Sequence, residues 1–194
     1  MKTRISRICI PFIATALFVS PALAGSATWR ALPATGDWNT AGNWSPATVP
    51  NGSADTASFI SSTITGVSIS ANTEVNSIVF ENLASAYTIT ANPTFTLTIS
   101  GVGITNNSGI TQNFVTAVDL SANSGLIVFT NSATAGSNTV FTNNGATVNG
   151  GFGGVTQFFN TSTAGSATIT NNSATVSGEF GLIFQLAVKV IVPL

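Results

Sequence analysis

The sequence predicts an all-β protein folded as a right-handed parallel β-helix (a β-solenoid) with an N-terminal cap, and it leaves a β-sandwich as the alternative. Apolar and polar residues alternate in short runs that end at Gly, Asn or Ser, which is typical of half-buried strands joined by tight turns. A stretch of 20 residues at 135–154 recurs further along the chain, as in solenoid proteins. Charged residues are only 6% of the 194 residues, whereas Ser, Thr and Asn together number 70, which disfavours helices.

Residues 1–24 have the pattern of a secretory signal peptide. Three cations among the first seven residues precede an apolar run at 8–19, and small residues at Ala22 and Ala24 form an A-x-A-like cleavage site. The apolar run is shorter than the roughly 20 residues that span a bilayer. We therefore expect cleavage after Ala24, secretion or cell-surface display (at the outer membrane in a bacterium), and no transmembrane segment in the remaining chain.

Residues 25–60 are predicted to form the N-terminal cap, since the open end of a solenoid has to be covered. This segment contains all three tryptophans, Trp29, Trp38 and Trp44. Two roles remain open for them: the rings either pack inside the cap or stack on sugar rings as a carbohydrate-binding platform. Loss of thermal stability on replacing Trp38 or Trp44 would favour packing, and loss of glycan binding with an intact fold would favour the platform.

Residues 61–182 are predicted to form the β-helix coils. Residues 135–154 align with 164–182 when Phe141 is deleted, which matches Val140 with Ile169. Matched residues should lie one coil apart, with Val, Ile and Phe stacked inside, Thr and Ser outside, and Asn side chains forming amide ladders at equivalent turns. The further matches are Gly136 with Gly165, Asn143 with Asn171, Phe152 with Phe180 and Phe129 with Phe158; the alternating runs that predict strands are 67–70, 87–90, 95–100, 167–170 and 174–177.

The last segment, 183–194, is an atypical C-terminal tail. It is apolar, and the Asn, Thr and Gly of the repeats are missing from it. The sequence leaves two interpretations of the tail, a terminal strand or the product of a shifted reading frame.

Composition excludes several classes of function. The chain has no histidine, so it cannot form a Ser-His-Asp or Cys-His site and lacks the commonest zinc ligand. Its five Lys and Arg residues are too few to neutralise a nucleic-acid backbone. The sequence thus predicts no cofactor, no metal site, no catalytic residue and no nucleic-acid partner.

A polysaccharide-acting β-helix enzyme is the less favoured alternative. Glycoside hydrolysis uses two carboxyl groups about 5–9.5 Å apart. Glu74 and Glu81 would be over about 20 Å apart along one strand, and only a hairpin or a coil could bring Asp37 close to Asp55. Calcium-assisted chemistry requires clustered acidic ligands, whereas the acids here are scattered along the chain.

Three segments, at 36–59, 100–115 and 156–171, resemble autotransporter-like surface proteins with passenger-associated β-strand repeats. The resemblance covers nearly all of residues 25–194 and implies a secreted or cell-surface passenger segment. Members of this family are much longer, and many end in an outer-membrane β-barrel; this sequence lacks the eight or more strands of about ten residues with aromatic girdles that such a barrel requires. The resemblance implies no catalytic residue.

Together these observations predict a non-catalytic, structural or adhesin-like passenger segment whose repeated coils present a polar surface. Its partners would be surface glycans or other cell-surface proteins. A carbohydrate-binding module that uses Trp29, Trp38 and Trp44 is the alternative from a second class of function.

Overall fold

A computed structural model, which describes residues 25–176, shows the chain wound into a parallel β-solenoid of about five coils. The fold prediction is confirmed, and the β-sandwich alternative is wrong. The strands are β1 (Ala27–Trp29), β2 (Trp44–Ser45), β3 (Gly52–Phe59), β4 (Gly66–Ile69), β5 (Thr73–Phe80), β6 (Thr88–Ala91), β7 (Thr96–Asn106), β8 (Gln112–Thr116), β9 (Leu126–Phe129), β10 (Thr139–Asn143), β11 (Val155–Phe158) and β12 (Thr168–Asn171), with a short 3-10 helix at Ala41–Asn43.

The strands form two sheets. Sheet 1 has the order β11-β9-β7-β5-β3-β1-β2, and sheet 2 has the order β12-β10-β8-β6-β4. From β3 onwards the chain alternates between the sheets, and strands of neighbouring coils pair in parallel. Residues that face each other across coils are 21 apart at Phe59 and Phe80 and 28 apart at Asn143 and Asn171. Turns absorb part of this difference in coil length, and register shifts within the β3–β5 and β5–β7 pairs absorb another part.

The segment 25–60 belongs to the same sheet as the later coils. Strands β1 and β3 pair in parallel, as the later coils do, whereas β2 pairs antiparallel with β1 at the end of sheet 1. The predicted cap is therefore the first coil itself, with β2 covering its outer edge.

Several of the predicted repeat matches are confirmed. Phe129 pairs with Phe158, and Asn143 pairs with Asn171. Gly136 and Gly165 both have positive φ angles, and the Ser166 amide donates to the Gly136 carbonyl one coil away. Positive φ favours glycine, because it has no Cβ to clash with the backbone.

The match of Val140 with Ile169 is wrong. Val140 pairs with Thr168, and Phe141, which we had expected to be the deleted residue, pairs with Ile169. The coil spacing is 29 between Thr134 and Thr163 but 28 within β10, so the shortening lies in the turn before β10. Deleting a core residue from a strand would invert its inward and outward faces, whereas shortening a turn does not.

Four of the five predicted strands form. The predicted strands 67–70, 87–90 and 167–170 lie within one residue of β4, β6 and β12, and 95–100 covers the start of β7. The prediction for 174–177 is wrong for 174–176, where no strand forms and residues 175–176 make a bend. The signal peptide at 1–24, the match to Phe180 and the tail at 183–194 lie outside the described residues.

A continuous column of aromatic rings runs along the solenoid axis. Neighbouring rings have centroids 4.8 to 6.1 Å apart, within the range of favourable edge-to-face and stacked contacts. From the first coil to the last the column contains Trp38, Trp44, Phe59, Phe80, Phe114, Phe141, Phe129 and Phe158. The coils thus share one core.

Candidate functional site

The three tryptophans, which were the candidate carbohydrate platform, lie at the N-terminal end of the aromatic column. Trp29, Trp38 and Trp44 are fully buried. Each indole N–H donates to a backbone carbonyl: Trp29 to Ile64 at 3.0 Å, Trp38 to Pro50 at 3.0 Å, and Trp44 to Trp38 at 2.7 Å. The arrangement is that of core packing, and no ring face is free to stack on a sugar.

Beside the tryptophans lies a buried amide that the sequence analysis missed. Asn43 is fully buried at the end of the 3-10 helix. Its Oδ1 accepts from the amides of Ala34 and Thr35, and its Nδ2 donates to Thr35 Oγ1 and to the Asp37 carbonyl. All four hydrogen-bonding positions of the side chain are used, so Asn43 holds together the chain that passes over the first coil.

The predicted asparagine ladder is present in the last two coils. Asn143 Nδ2 donates to Asn171 Oδ1 at 2.8 Å, and Asn172 Nδ2 donates to Asn144 Oδ1 at 3.1 Å. Asn143 Oδ1 also accepts from the hydroxyls of Thr116 and Thr156. The ladder is therefore a structural feature that locks neighbouring coils in register.

The ladder predicts a difference between two equivalent asparagines. Asn143→Ala is expected to lower the free energy of unfolding by about 2 kcal/mol, because it leaves the buried Thr116 hydroxyl and the half-buried Thr156 hydroxyl without an acceptor. Asn171→Ala, at the exposed end of the ladder, is expected to cost under about 0.5 kcal/mol. Urea unfolding of both variants measures the difference, and equal losses would contradict the structural role of the buried amide.

The acidic residues are distributed over the surface. Asp37 forms a bridge to β4 at the edge of sheet 2, whereas Asp55 lies in β3 of sheet 1, so the fold does not bring this pair together. Asp37 accepts hydrogen bonds from the hydroxyls of Thr40 and Ser70, and Asp55 accepts one from the Asn51 amide. These carboxylates stabilise turns.

Glu74 is the second residue of β5, and Glu81 directly follows the end of that strand. The two carboxylates therefore lie near opposite ends of one strand. Within residues 25–176, no group of three or more His, Cys, Asp or Glu side chains is placed to hold a metal ion.

The outer face of sheet 2 is a regular surface on which seven of ten outward positions are Ser, Thr or Asn. Outward positions on successive strands form two rows, and their side chains are uncharged. One row is Ser68, Thr90, Val115, Thr142 and Thr170, and the other is Gly66, Thr88, Asn113, Val140 and Thr168.

An open depression of about 440 Å³ lies at the end of this face where Asp37 and Ser68 meet. A second one, of about 360 Å³, lies on sheet 1 next to Glu74 and Thr98. Both are open hollows in the surface, not enclosed pockets.

Two titratable groups have shifted pKa values. Burial raises the pKa of Tyr87 to about 12, although a hydrogen bond to Ser62 opposes the shift, and its hydroxyl donates to the Ile60 carbonyl at 2.6 Å. The side-chain amide of Asn123, together with its backbone amide, holds the pKa of Asp119 below its ordinary value.

These shifts predict how stability depends on pH. The raised pKa of Tyr87 stabilises the fold below its ordinary value of 10.0, and this stabilisation is lost as pH rises towards 12. The lowered pKa of Asp119 acts in the opposite direction, so its contribution is lost as pH falls through the folded-state value. The chain has no histidine, the side chain that titrates between about pH 5 and 8, so stability should be flat there.

Thermal unfolding midpoints measured across the pH range test this dependence. Tyr87→Phe is expected to reduce the loss of stability above pH 10, which should amount to no more than about 3 kcal/mol. An alkaline decline of the same size in this variant would show that Tyr87 does not cause it.

Comparison with protein-family models, with curated proteins and with solved structures gave no match for this chain. Among residues 25–176 no helix has the length and apolar character needed to cross a bilayer.

Proposed function

We propose that this chain is a secreted or cell-surface, non-catalytic passenger segment that binds through the outer face of sheet 2. The resemblance of 36–59, 100–115 and 156–171 to autotransporter-like surface proteins supports this proposal, as does the signal-peptide pattern of residues 1–24. Its partners are surface glycans or other cell-surface proteins.

The observation that carries the proposal is the grid of small uncharged side chains on that face. Neighbouring strands bring equivalent side chains about 4.7–4.9 Å apart, and outward residues along a strand are about 6.6 Å apart. Threonine and serine hydroxyls both donate and accept hydrogen bonds, so each offers a weak contact to polar groups of a partner. Repetition of these contacts along the sheet adds up to an adhesive surface without a deep pocket.

Paired substitutions on two sheets test this function. Thr90→Lys combined with Thr142→Lys places bulky charges in one row of the outer face of sheet 2. The matched control, Thr98→Lys combined with Thr105→Lys, places the same charges on sheet 1. We expect the first pair alone to abolish binding of the full chain to intact cells and immobilised glycans, with similar thermal unfolding midpoints for both pairs.

Two other results would contradict the proposal. If neither pair of substitutions changes binding, the outer face of sheet 2 is not the binding surface. If the chain releases reducing ends from a polysaccharide, the protein is an enzyme.

Export is tested separately from binding. N-terminal sequencing of the secreted protein should begin at Gly25, directly after the predicted cleavage site. Retention of the uncleaved chain inside the cell would contradict secretion while leaving the binding experiment valid.

A further inference from the structure

Three asparagines are followed directly by glycine, at Asn51, Asn144 and Asn149. An Asn-Gly pair is the sequence most prone to spontaneous deamidation, because glycine has no side chain to keep its backbone nitrogen away from the asparagine side chain. A fold alters this tendency, since a side chain held by hydrogen bonds cannot rotate towards that nitrogen. The solenoid holds two of the three side chains in this way.

Asn51 is held by the neighbouring coil, although it is exposed. Its Oδ1 accepts from the Glu74 amide at 2.9 Å, and its Nδ2 donates to the Asn72 carbonyl at 3.5 Å. The next residue, Gly52, begins β3 and pairs with Val75 of β5. Both the side chain and the glycine that would attack it are therefore fixed.

Asn144 is held by the coil that follows it. Its Oδ1 accepts from Asn172 Nδ2 at 3.1 Å, and its carbonyl accepts from the Gly154 amide at 2.8 Å. The next residue, Gly145, lies so close to the Ser173 carbonyl that a Cβ would not fit between them. This pair is half-buried and packed between two coils.

Asn149 is exposed in the turn between β10 and β11. The Gly151 amide donates to the Val148 carbonyl at 3.1 Å, which places Asn149 and Gly150 at the two central positions of a β-turn. Gly150 has a φ angle of 77° or less, at 73°, with open space around it. Within residues 25–176, no hydrogen bond holds the Asn149 side chain or the Gly150 amide.

We propose that Asn149 is a site of spontaneous deamidation in the folded chain, whereas Asn51 and Asn144 are protected. Hydroxide removes the proton of the Gly150 amide, and the nitrogen attacks Asn149 Cγ. The N–Cγ bond forms, the Cγ–Nδ2 bond breaks, and Nδ2 leaves as ammonia after taking a proton from water. Water then opens the succinimide ring at either carbonyl, which gives aspartate or isoaspartate and adds one negative charge to the turn.

Incubation of the folded full chain at neutral pH, followed by peptide mapping with mass spectrometry, measures deamidation at each pair. We expect Asn149 to react at least about tenfold faster than Asn51 and Asn144, because the other two need a local opening before the side chain can rotate. In concentrated urea the three rates should become similar, since every pair is then free of the fold.

Asn149→Gln is the control for the assignment, because the longer side chain would have to close a larger ring. Isoelectric focusing of the incubated protein should show an acidic form that this variant lacks. The proposal is wrong if Asn149 reacts no faster than the other two pairs in the folded chain. It is also wrong if its advantage persists in urea, since the local sequence rather than the fold would then set the rates.

Discussion

Trp44→Ala is expected to lower the free energy of unfolding by about 3–5 kcal/mol, the usual cost of truncating a fully buried aromatic side chain. The Trp44 ring is 0% exposed and lies 4.9 Å from the ring of Trp38, 5.1 Å from that of Trp29 and 5.6 Å from that of Phe59. Its removal leaves a cavity where β2 covers the first coil. The Trp38 carbonyl also loses the hydrogen bond from the Trp44 indole.

Phe152→Ala is the matched control, because this ring is 66% exposed in the turn before β11. Its truncation should change stability by less than about 0.5 kcal/mol. Urea unfolding followed by tryptophan fluorescence for Phe152→Ala, and by circular dichroism for both variants, gives the two free energies. If Trp44→Ala keeps its stability but loses glycan binding, the result would support the hypothesis that the tryptophans form a carbohydrate-binding platform.

The repeats made the solenoid predictable from sequence. Some side chains that stack in neighbouring coils are alike in size and polarity, as at Phe129 and Phe158, and these produce a periodic signal in the sequence. Strand alternation was readable for the same reason, because one face of every strand meets the shared core. The wrong match of Val140 shows the limit of this approach, since a turn can lose a residue without leaving a hydrophobic signal.

The sequence could not show which polar residues are buried. The chain has 19 asparagines, most of them in turn-like surroundings, and nothing local distinguishes Asn43 from the exposed Asn107. Burial of Asn43 depends on how the chain crosses the first coil, which is a long-range property. The role of the tryptophans was left open for the same reason, because a turn-rich segment with aromatic residues is compatible with both a core and a binding platform.

Asn43→Ala is expected to cost about 2–4 kcal/mol, although the substitution removes little apolar surface. It removes the part-buried hydrogen bonds that the side chain makes with the amides of Ala34 and Thr35 and with the carbonyl of Asp37, and each such bond contributes about 0.5–1.5 kcal/mol. Asn107→Ala, at an exposed position, should be close to neutral. Equal stabilities for the two variants would mean that water replaces the lost bonds and that Asn43 does not hold the first coil together.

Asn43→Asp separates hydrogen bonding from side-chain size. An ionised aspartate at this position cannot donate to the Asp37 carbonyl, and burial disfavours its charge, so its pKa should rise above the ordinary value of about 3.9. A raised folded-state pKa stabilises the fold at low pH and loses that contribution as pH rises. The variant should therefore regain stability, relative to the unaltered protein, as the pH falls from 7 towards 4. The thermal unfolding midpoints of the two proteins across this range measure the effect, and a constant difference between them would show that the introduced carboxyl group remains solvated.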